Sequence, residues 1–275
     1  MSPAPTHPLS RVRADVAVIG GSGFYSFLDG AEEHEMDTPF GAPSGPVALG
    51  TVAGRRVAFL PRHGPGHEHP PHLIPYRANA WALRSLGVRQ VLAPCAVGGL
   101  SDEVTPGDVV VPDQLVDRTH SRVQTFVEEG AVHLPFADPY CPRLTLAVAA
   151  VDPVVRSGGT MVVVEGPRFS TRAESQHYAA QGWTLINMTG HPEAALAREM
   201  RQCYVPIALV TDLDAGIEAG SGVGQEEVFD LFARNLARLR TLLADTIAAL
   251  PDPEGCTCSS WADTLPLTYD IPGVS

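Results

Sequence analysis

The chain has 275 residues, of which 44% are hydrophobic and 18% charged, and a chain of this length buries roughly three quarters of the surface exposed when unfolded. Its formal net charge of -12 repels a nucleic-acid backbone or an anionic membrane over most of the surface. These values argue against a disordered chain and predict one domain over residues 1–275 without nucleic-acid or membrane partners. Residues 1–14 are predicted to be a flexible N-terminus and residues 251–275 an irregular tail.

Short β-branched segments alternate with helical patterns along the chain, which is typical of a sheet flanked by helices. Strands are predicted at 15–20, 47–52, 56–60, 88–93, 108–111, 160–164, 184–188 and 204–211. Helices are predicted at 76–86, at 171–180 behind a Thr171–Glu174 capping box, at 193–200 behind Pro192, and at 225–250. A hairpin turn at 52–55 brings antiparallel pairing into a mainly parallel sheet, so the predicted fold class is α/β with a mixed central sheet.

Targeting and cysteine signals both indicate a reducing compartment. The N-terminal segment has no apolar signal-like stretch, and no window approaches the roughly eighteen apolar residues of a membrane-spanning helix. The five cysteines are odd in number and lack CxxC spacing, which favours free thiols in a cytoplasmic protein. Cys256 and Cys258 are expected to be two surface thiols, with metal binding or redox pairing as the alternative.

Two segments near the N-terminus have the composition of an anion site. The first strand runs into Gly20–Gly23, where Ser22 adds a hydroxyl to a turn of backbone amides. The third glycine of a dinucleotide fingerprint and the lysine of a P-loop are both missing, and an ordinary glycine turn is the alternative. Arg62 and His63 follow another strand, where Arg62 can present a bidentate fork to phosphate and His63 a further donor. The alternatives are a surface arginine and a metal-binding loop with the histidines at 67, 69 and 72.

Later strand ends supply apolar surface and an acid pair. Phe169, Met188 and Thr189 follow apolar strands at the edge where α/β sheets bind ligands, although each can be ordinary loop packing. Asp212 and Asp214 stand two apart, so in an extended chain both face one side and one pKa is raised. A solvated capped turn is the alternative for the acids. Together these segments suit transfer of a group to bound phosphate.

The ordered motifs resemble the trimeric purine nucleoside phosphorylase superfamily, and most closely its methylthioadenosine phosphorylase branch. The resemblance rests on IGGSG, DTPFGAPSG, LPRHG, PYRANAWAL, PGDVVVPDQLVDRT, VVEGPRFSTRAES, INMTGHPEAALARE and VTDLD, which extend from about residue 16 to 214, and on SSWADTL at 259–265. It implies a mixed sheet with a distorted barrel, a homotrimer, phosphorolysis in purine and methionine salvage, phosphate as co-substrate, and no cofactor or metal.

The same resemblance implies roles for individual residues. The phosphate ligands would be Ser22, Arg62, His63, Cys95, Ala96 and Thr189, with His63 also catalytic. Met188 would lie under the ribose, and Asp212 and Asp214 would be the purine-site acids, with Asp212 catalytic. Phe169 and Ser170 would line the base pocket. His133 would lie near the 5′-substituent, and Gln225 would influence substrate preference. Cys95 replaces the threonine of that branch, and the tail after Leu265 is shorter than the family's.

The implied reaction is attack of phosphate on C1′ of a purine nucleoside, expected to be 5′-methylthioadenosine, giving adenine and 5-methylthioribose 1-phosphate. An acid at position 212 suits a 6-amino purine better than a 6-oxo purine, because a carboxylate facing a 6-oxo group pairs two acceptors. The alternatives are a 6-oxo-purine or 5′-methylthioinosine phosphorylase and, in another class, a non-catalytic nucleoside-binding protein.

Overall fold

The computed structural model describes residues 12–214 and 222–273, so most of the flexible N-terminus expected at 1–14 and the last two tail residues lie outside the described residues. The strands are β1 (Val16–Gly20), β2 (Glu32–His34), β3 (Val47–Val52), β4 (Arg55–Pro61), β5 (Gln90–Gly99), β6 (Val109–Val111), β7 (Gln114–Arg118), β8 (Arg156–Ser157), β9 (Thr160–Val164), β10 (Leu185–Asn187) and β11 (Cys203–Asp212). The helices are α1 (Tyr76–Ser85), α2 (Pro142–Val151), α3 (Arg172–Ala180), α4 (Gly190–Glu199) and α5 (Gln225–Ala249), with 3₁₀ turns at Pro71–Leu73 and Thr257–Asp263. Within these ranges no helix has the length and apolar character needed to cross a bilayer.

The predicted α/β fold with a mixed sheet is confirmed, and each predicted strand and helix is present. The capping box at α3 forms as expected, with the Thr171 side chain accepting from the Glu174 backbone and the Glu174 side chain accepting in return. The sequence patterns missed β2, β7 and β8, which are short and mostly exposed or half-buried, and α2, whose apolar residues show weak helical periodicity.

The strand predicted at 88–93 is too short, because β5 continues to Gly99. Pro94 and the glycines at 98 and 99 made the pattern look interrupted, but the parallel ladder between β5 and β11 holds the whole segment extended. This long strand organises the sheet. One edge of β5 pairs with β11 along its length, whereas the other edge pairs with β1 at 91–92 and with antiparallel β10 at 98–99.

Part of the sheet closes into the distorted barrel that was expected. Strand β11 pairs with β6, β10 pairs with β9, and β6 and β7 run beside β8 and β9 as two successive parallel ladders. Backbone bonds from Gly158 N to Val111 O (2.9 Å) and from Asp113 N to Gly159 O (3.1 Å) join these ladders. These pairings form a closed ring: β5 pairs with β11, β11 with β6, the β6–β7 segment with the β8–β9 segment, β9 with β10, and β10 with β5. The rest of the sheet is open and extends from β5 in the order β1, β4, β3 and β2.

Helices cover both faces of the sheet. Alternate residues of β1 enter two separate cores, Ala17 and Ile19 on one face and Val16 and Val18 on the other, as the two-residue period of a strand requires. Helices α1 and α4 cover the first core, and α2 and α5 cover the second. The apolar stripe predicted on the last long helix is confirmed, and it includes buried Phe232, Leu239, Leu242, Leu243 and Ile247.

The tail docks on the domain and contains a 3₁₀ turn at Thr257–Asp263, and the prediction of two surface thiols is wrong. Cys256 and Cys258 are 6% and 3% exposed and belong to the second core. The tail docks through its backbone, with the Gln90 side chain donating to Pro251 O at 2.9 Å and Arg143 Nη2 to Asp252 O at 2.8 Å. These contacts attach the tail to the start of β5 and to α2.

Candidate active site

A cavity of about 350 Å³ lies beside the gap in the β5 edge between β1 and β10, and this volume lies within the roughly 300–1,000 Å³ typical of small-molecule sites. Two strands that diverge from a common neighbour leave such a gap in α/β sheets. Twelve of the thirteen predicted site residues line the cavity: Ser22, Arg62, His63, Cys95, Ala96, Phe169, Ser170, Met188, Thr189, Asp212, Asp214 and Gln225.

His133 is the predicted residue that the structure does not bring to the cavity. It is exposed, in the segment between β7 and α2, and does not line the cavity of its own chain. Among the other predicted residues, Phe169 is 37% exposed. Gln225 is exposed at the first residue of α5. These two side chains line the cavity from its solvent side.

The glycine turn after β1 forms the floor of one end of the cavity. At Gly21, a Cβ atom would lie 2.8 Å from Arg62 Nη1 and 2.9 Å from Pro94 O, so the approach of this turn to β5 requires glycine. Ser22 follows and lines the cavity. The turn thus brings a hydroxyl and backbone amides beside the Arg62 guanidinium.

Arg62 is 1% exposed and gives its bidentate fork to Glu193, through Nε at 2.7 Å and Nη2 at 2.8 Å. Nη1 also donates to Pro94 O at 3.1 Å and Nη2 to Ile19 O at 3.3 Å, so the described residues engage four of its five N–H groups. Burial alone lowers the pKa of Arg62, but the Glu193 carboxylate raises it above its usual value. Tyr204 completes the network by donating to Glu193 at 2.7 Å. The expected bidentate fork to phosphate is therefore wrong, and one N–H remains for a ligand.

The His63 ring lines the cavity, and burial favours its neutral form. Burial lowers the pKa of His63 to about 3, and its Nδ1 lies 2.9 Å from His69 O. A carbonyl only accepts, so Nδ1 carries the proton and Nε2 presents a lone pair. The His67 ring stacks on it at 4.4 Å, and Tyr25 in turn bonds His67 at 3.0 Å. With the proton on the nitrogen facing His69, donation from His63 to phosphate would also need a proton on Nε2, which burial disfavours, so the expected donor role stays a prediction.

Thr189 lies at the start of α4, where Asn187 organises the backbone. Asn187 Oδ1 accepts from Thr189 N at 2.8 Å and from Gly190 N at 2.6 Å, and the Thr189 hydroxyl approaches the same oxygen at 3.3 Å. These amides are therefore satisfied within the chain. The Thr189 hydroxyl keeps only a long bond, so it can turn toward an anion in the cavity.

The open edge of β5 offers one backbone donor. Residues 93–97 lie between the β1 and β10 pairings, and on this edge Arg62 caps Pro94 O while Asn187 Nδ2 donates to Ala96 O at 3.0 Å. The N–H and C=O of one strand residue point to the same side, so the Ala96 amide points toward this edge. Burial raises the pKa of the neighbouring Cys95 thiol to about 12, so this side chain stays protonated.

The acid pair lies at the other end of the cavity because of a bulge in β11. The ladder to β5 shifts between Val210 and Asp212, which sets Asp212 opposite Gly98. Burial raises the pKa of Asp212 to about 6, the nearby Asp214 carboxylate adds to the shift, and a 2.7 Å bond from Thr211 opposes it. Asp214 is buried and accepts from the Ser175 hydroxyl at 2.5 Å. The cavity therefore holds a buried carboxyl whose pKa is raised from its ordinary value to about 6.

Sequence reasoning missed Asn187, Glu193 and His67 as contributors to the site. Asn187 and Glu193 lie inside motifs that were quoted, yet each acts by holding another side chain or the backbone in place. Partners of this kind are visible only when the strand ends and the start of α4 are brought together. The histidine-rich loop offered a signal for His67, which was considered only as a metal ligand.

Comparison with known proteins gives a consistent result. Residues 15–248 match the family model described as "Phosphorylase superfamily". A Streptomyces coelicolor protein named purine nucleoside phosphorylase is 56% identical, covering 91% of this chain and 95% of its own. A Mycolicibacterium smegmatis protein named S-methyl-5'-thioadenosine phosphorylase is 54% identical, covering 94% and 99%.

Solved structures agree with these relatives. A methylthioadenosine phosphorylase from an Antarctic soil metagenomic library has a TM-score of 0.83 and 38% identity, covering 93% of each chain. A Schistosoma mansoni methylthioadenosine phosphorylase in complex with adenine has a TM-score of 0.82 and 35% identity, covering 86% of this chain and 91% of its own.

Replacing Glu193 with glutamine removes the charge that balances Arg62 without changing side-chain size. Because this leaves a buried cation uncompensated, we expect Glu193→Gln to lower the free energy of unfolding by about 3–5 kcal/mol, measured by urea denaturation. The matched control is the exposed pair of Arg201 and Asp263, joined at 3.0 Å, where Asp263→Asn should cost less than about 1 kcal/mol. Equal losses in the two variants would contradict the assigned importance of the buried pair.

Proposed function

The chain belongs to the phosphorylase superfamily, and we propose that it cleaves 5′-methylthioadenosine with inorganic phosphate to give adenine and 5-methylthioribose 1-phosphate. Relatives named for this activity are 54% identical across nearly the whole chain. The observation that carries the proposal is a single cavity with anion donors at one end and a carboxyl of raised pKa at the other. No cofactor is needed for this exchange.

We assign the phosphate to the end near the glycine turn. The Ser22 and Thr189 hydroxyls, the Ala96 amide and the remaining Arg62 N–H are the donors, and Nε2 of His63 accepts the hydrogen of monohydrogen phosphate. The Arg62 charge is already balanced by Glu193, so binding relies largely on oriented neutral dipoles. Such preorganised donors are effective in a site from which water is excluded.

The bond exchange runs across the sugar. A phosphate oxygen forms a bond to C1′ while the C1′–N9 bond breaks, and the electron pair of that bond passes to the purine. Positive charge develops on the sugar, so the phosphate is both nucleophile and electrostatic partner. Met188 lines the cavity at the end of β10, and we place the ribose on it.

Asp212 neutralises the leaving purine. Its protonated carboxyl donates to N7 as electron density builds there, and general acid catalysis of this kind contributes about 10²–10⁴ in rate. Asp214, held by the Ser175 bond, accepts from the 6-amino group. Phe169 and Ser170 pack near the base. A 6-oxo group would place an acceptor against these acids, so the arrangement favours adenine.

Cys95 is the weakest hydrogen-bond donor among the residues assigned to phosphate binding. Its thiol is protonated but is a poor hydrogen-bond donor. The Ala96 amide on the open edge of β5 supplies the stronger donor at this position. The exchange of hydroxyl for thiol is therefore compatible with turnover.

We also propose a homotrimer in which His133 of one subunit reaches the cavity of a neighbour. His133 is exposed and lies outside its own cavity, and Leu73 and Val123, 62% and 56% exposed, line a groove that continues from the cavity-lining Pro71. A neighbouring subunit on this groove would cover both apolar side chains. The neighbouring subunit would also close the side of the cavity that we assign to the 5′-substituent of the nucleoside.

The proposed activity is tested by incubating the protein with 5′-methylthioadenosine in the presence and absence of phosphate. Adenine and 5-methylthioribose 1-phosphate should form only with phosphate, because the oxyanion is the nucleophile. A panel of 6-amino and 6-oxo nucleosides differing at C5′ gives the specificity. Adenine release at the same rate without phosphate would overturn the proposal, and tight binding without turnover would support a nucleoside-binding protein instead.

The pH profile tests Asp212. Because the acid must be protonated to donate and burial raises its pKa to about 6, kcat/KM for the nucleoside at saturating phosphate should fall as pH rises through about 6. Asp212→Asn should lose this limb, lower turnover at least about tenfold and accept 6-oxo purines relatively better. If kcat/KM of Asp212→Asn still falls as pH rises through about 6, the ionising group is phosphate, and the assignment of Asp212 as the general acid is contradicted.

Leu73→Asp tests the trimer, because a charge in the groove would disfavour an apolar subunit contact. We expect a smaller assembly by light scattering and a higher KM for 5′-methylthioadenosine. The control is Leu146→Asp on α2, where the leucine is also exposed, at 70%, and lies outside the groove. A monomeric wild-type protein, or equal effects of both variants, would refute this assembly.

A further inference from the structure

Four of the five cysteines form a buried cluster remote from the cavity. The cysteine cluster consists of Cys141, Cys203, Cys256 and Cys258, and their sulfur atoms all lie within 4.8 Å of one another. All four are buried and have free thiols. The fifth cysteine, Cys95, lines the active-site cavity instead. The cluster is therefore a separate feature that the proposed reaction does not use.

The spacing of the sulfurs suits a tetrahedral metal ion. With zinc–sulfur bonds of about 2.3 Å, neighbouring sulfurs of a tetrahedral site lie about 3.8 Å apart. The Cys141 and Cys256 sulfurs are 3.7 Å apart. No two sulfurs are more than 4.8 Å apart, so each pair lies within about 1 Å of the tetrahedral sulfur–sulfur distance.

We propose that the cysteine cluster is a structural zinc site. Four thiolate ligands give a closed site with no position for water or substrate, which is the arrangement of structural zinc. Sulfur ligands select soft or borderline ions over Mg²⁺ or Ca²⁺. The ligand set and its burial, rather than any spacing pattern in the sequence, identify the ion.

The cluster joins three parts of the fold that are far apart in sequence. Cys141 precedes α2, Cys203 begins β11, and Cys256 and Cys258 lie in the tail at its 3₁₀ turn. A backbone hydrogen bond holds two of these segments together, because Cys141 N donates to Tyr204 O, next to Cys203, at 2.9 Å. Zinc bound here fixes the tail to the body of the domain. Because the ligands come from three distant parts of the chain, the sequence contains no CxxC pattern that would indicate the site.

One arginine and one helix N-terminus adjoin the ligands of such a site. Zn²⁺ with four thiolates carries two negative charges. Arg143 lies two residues after Cys141 and donates to Asp252 O and Glu254 O at 2.8 and 3.1 Å. The Arg89 backbone carbonyl accepts from Cys203 N at 2.8 Å, which holds this ligand in place, whereas the Arg89 side chain is paired with Glu254. Cys141 also occupies the N-cap of α2, where the helix dipole favours a thiolate.

The proposal is tested on the full-length protein purified from zinc-supplemented medium. Elemental analysis should find one zinc per chain, and stripping followed by Co²⁺ addition should give the sulfur-to-cobalt charge-transfer band of a thiolate site. Cys258→Ser and Cys203→Ser should lose the zinc and make the tail sensitive to protease. Cys95→Ala is the matched control and should retain one zinc, because Cys95 is buried but outside the cluster.

If a serine variant does not fold, the Co²⁺ spectrum of the wild-type protein still tests the proposal. A wild-type chain that holds no zinc after reconstitution under reducing conditions would overturn the proposal. Iron in place of zinc would overturn it as well. So would an intact mass lower by four hydrogens, which means two disulfides, or equal zinc in Cys258→Ser and the wild type.

Discussion

The buried ion pair between Arg62 and Glu193 is the interaction on which the site depends. Arg62 comes from the end of β4 and Glu193 from α4, and the guanidinium also bonds the backbone of β1 and β5 while Tyr204 adds β11. The ion pair thus joins five elements beside the cavity. A buried pair of this kind adds little net stability compared with apolar packing, but losing one partner is costly. Its value lies in fixing the geometry of the strand ends around the cavity.

This pair also determines how an anion is held by a chain of net charge -12. Because Glu193 balances Arg62 and burial favours neutral His63, none of the described side chains lining this end contributes an unbalanced positive charge. The donors that remain are hydroxyls, a backbone amide and one N–H, which hold a dianion by orientation rather than by net charge. Such a site keeps its donors in place before the ligand arrives, so little reorganisation is needed during reaction.

The sequence predicted the mixed fold, the order of its long elements and twelve of the residues around the cavity. It failed where long-range contacts decide the outcome. Strand β5 continues through Pro94 because the proline lies on the unpaired edge, where a missing N–H costs no ladder bond. The proton position on His63 depends on the carbonyl of His69. Cys258 is buried because residues more than fifty positions away surround it. None of these contacts leaves a local pattern in the chain.

The interrupted edge of β5 carries a further consequence for the integrity of the sheet. Between β1 and β10 the backbone oxygens of Pro94 and Ala96 are capped by Arg62 and Asn187, which act as a surrogate strand made of side chains. The residues that shape the pocket therefore also satisfy the backbone where the sheet is interrupted, so a new specificity that evolves at these two positions must preserve both backbone contacts.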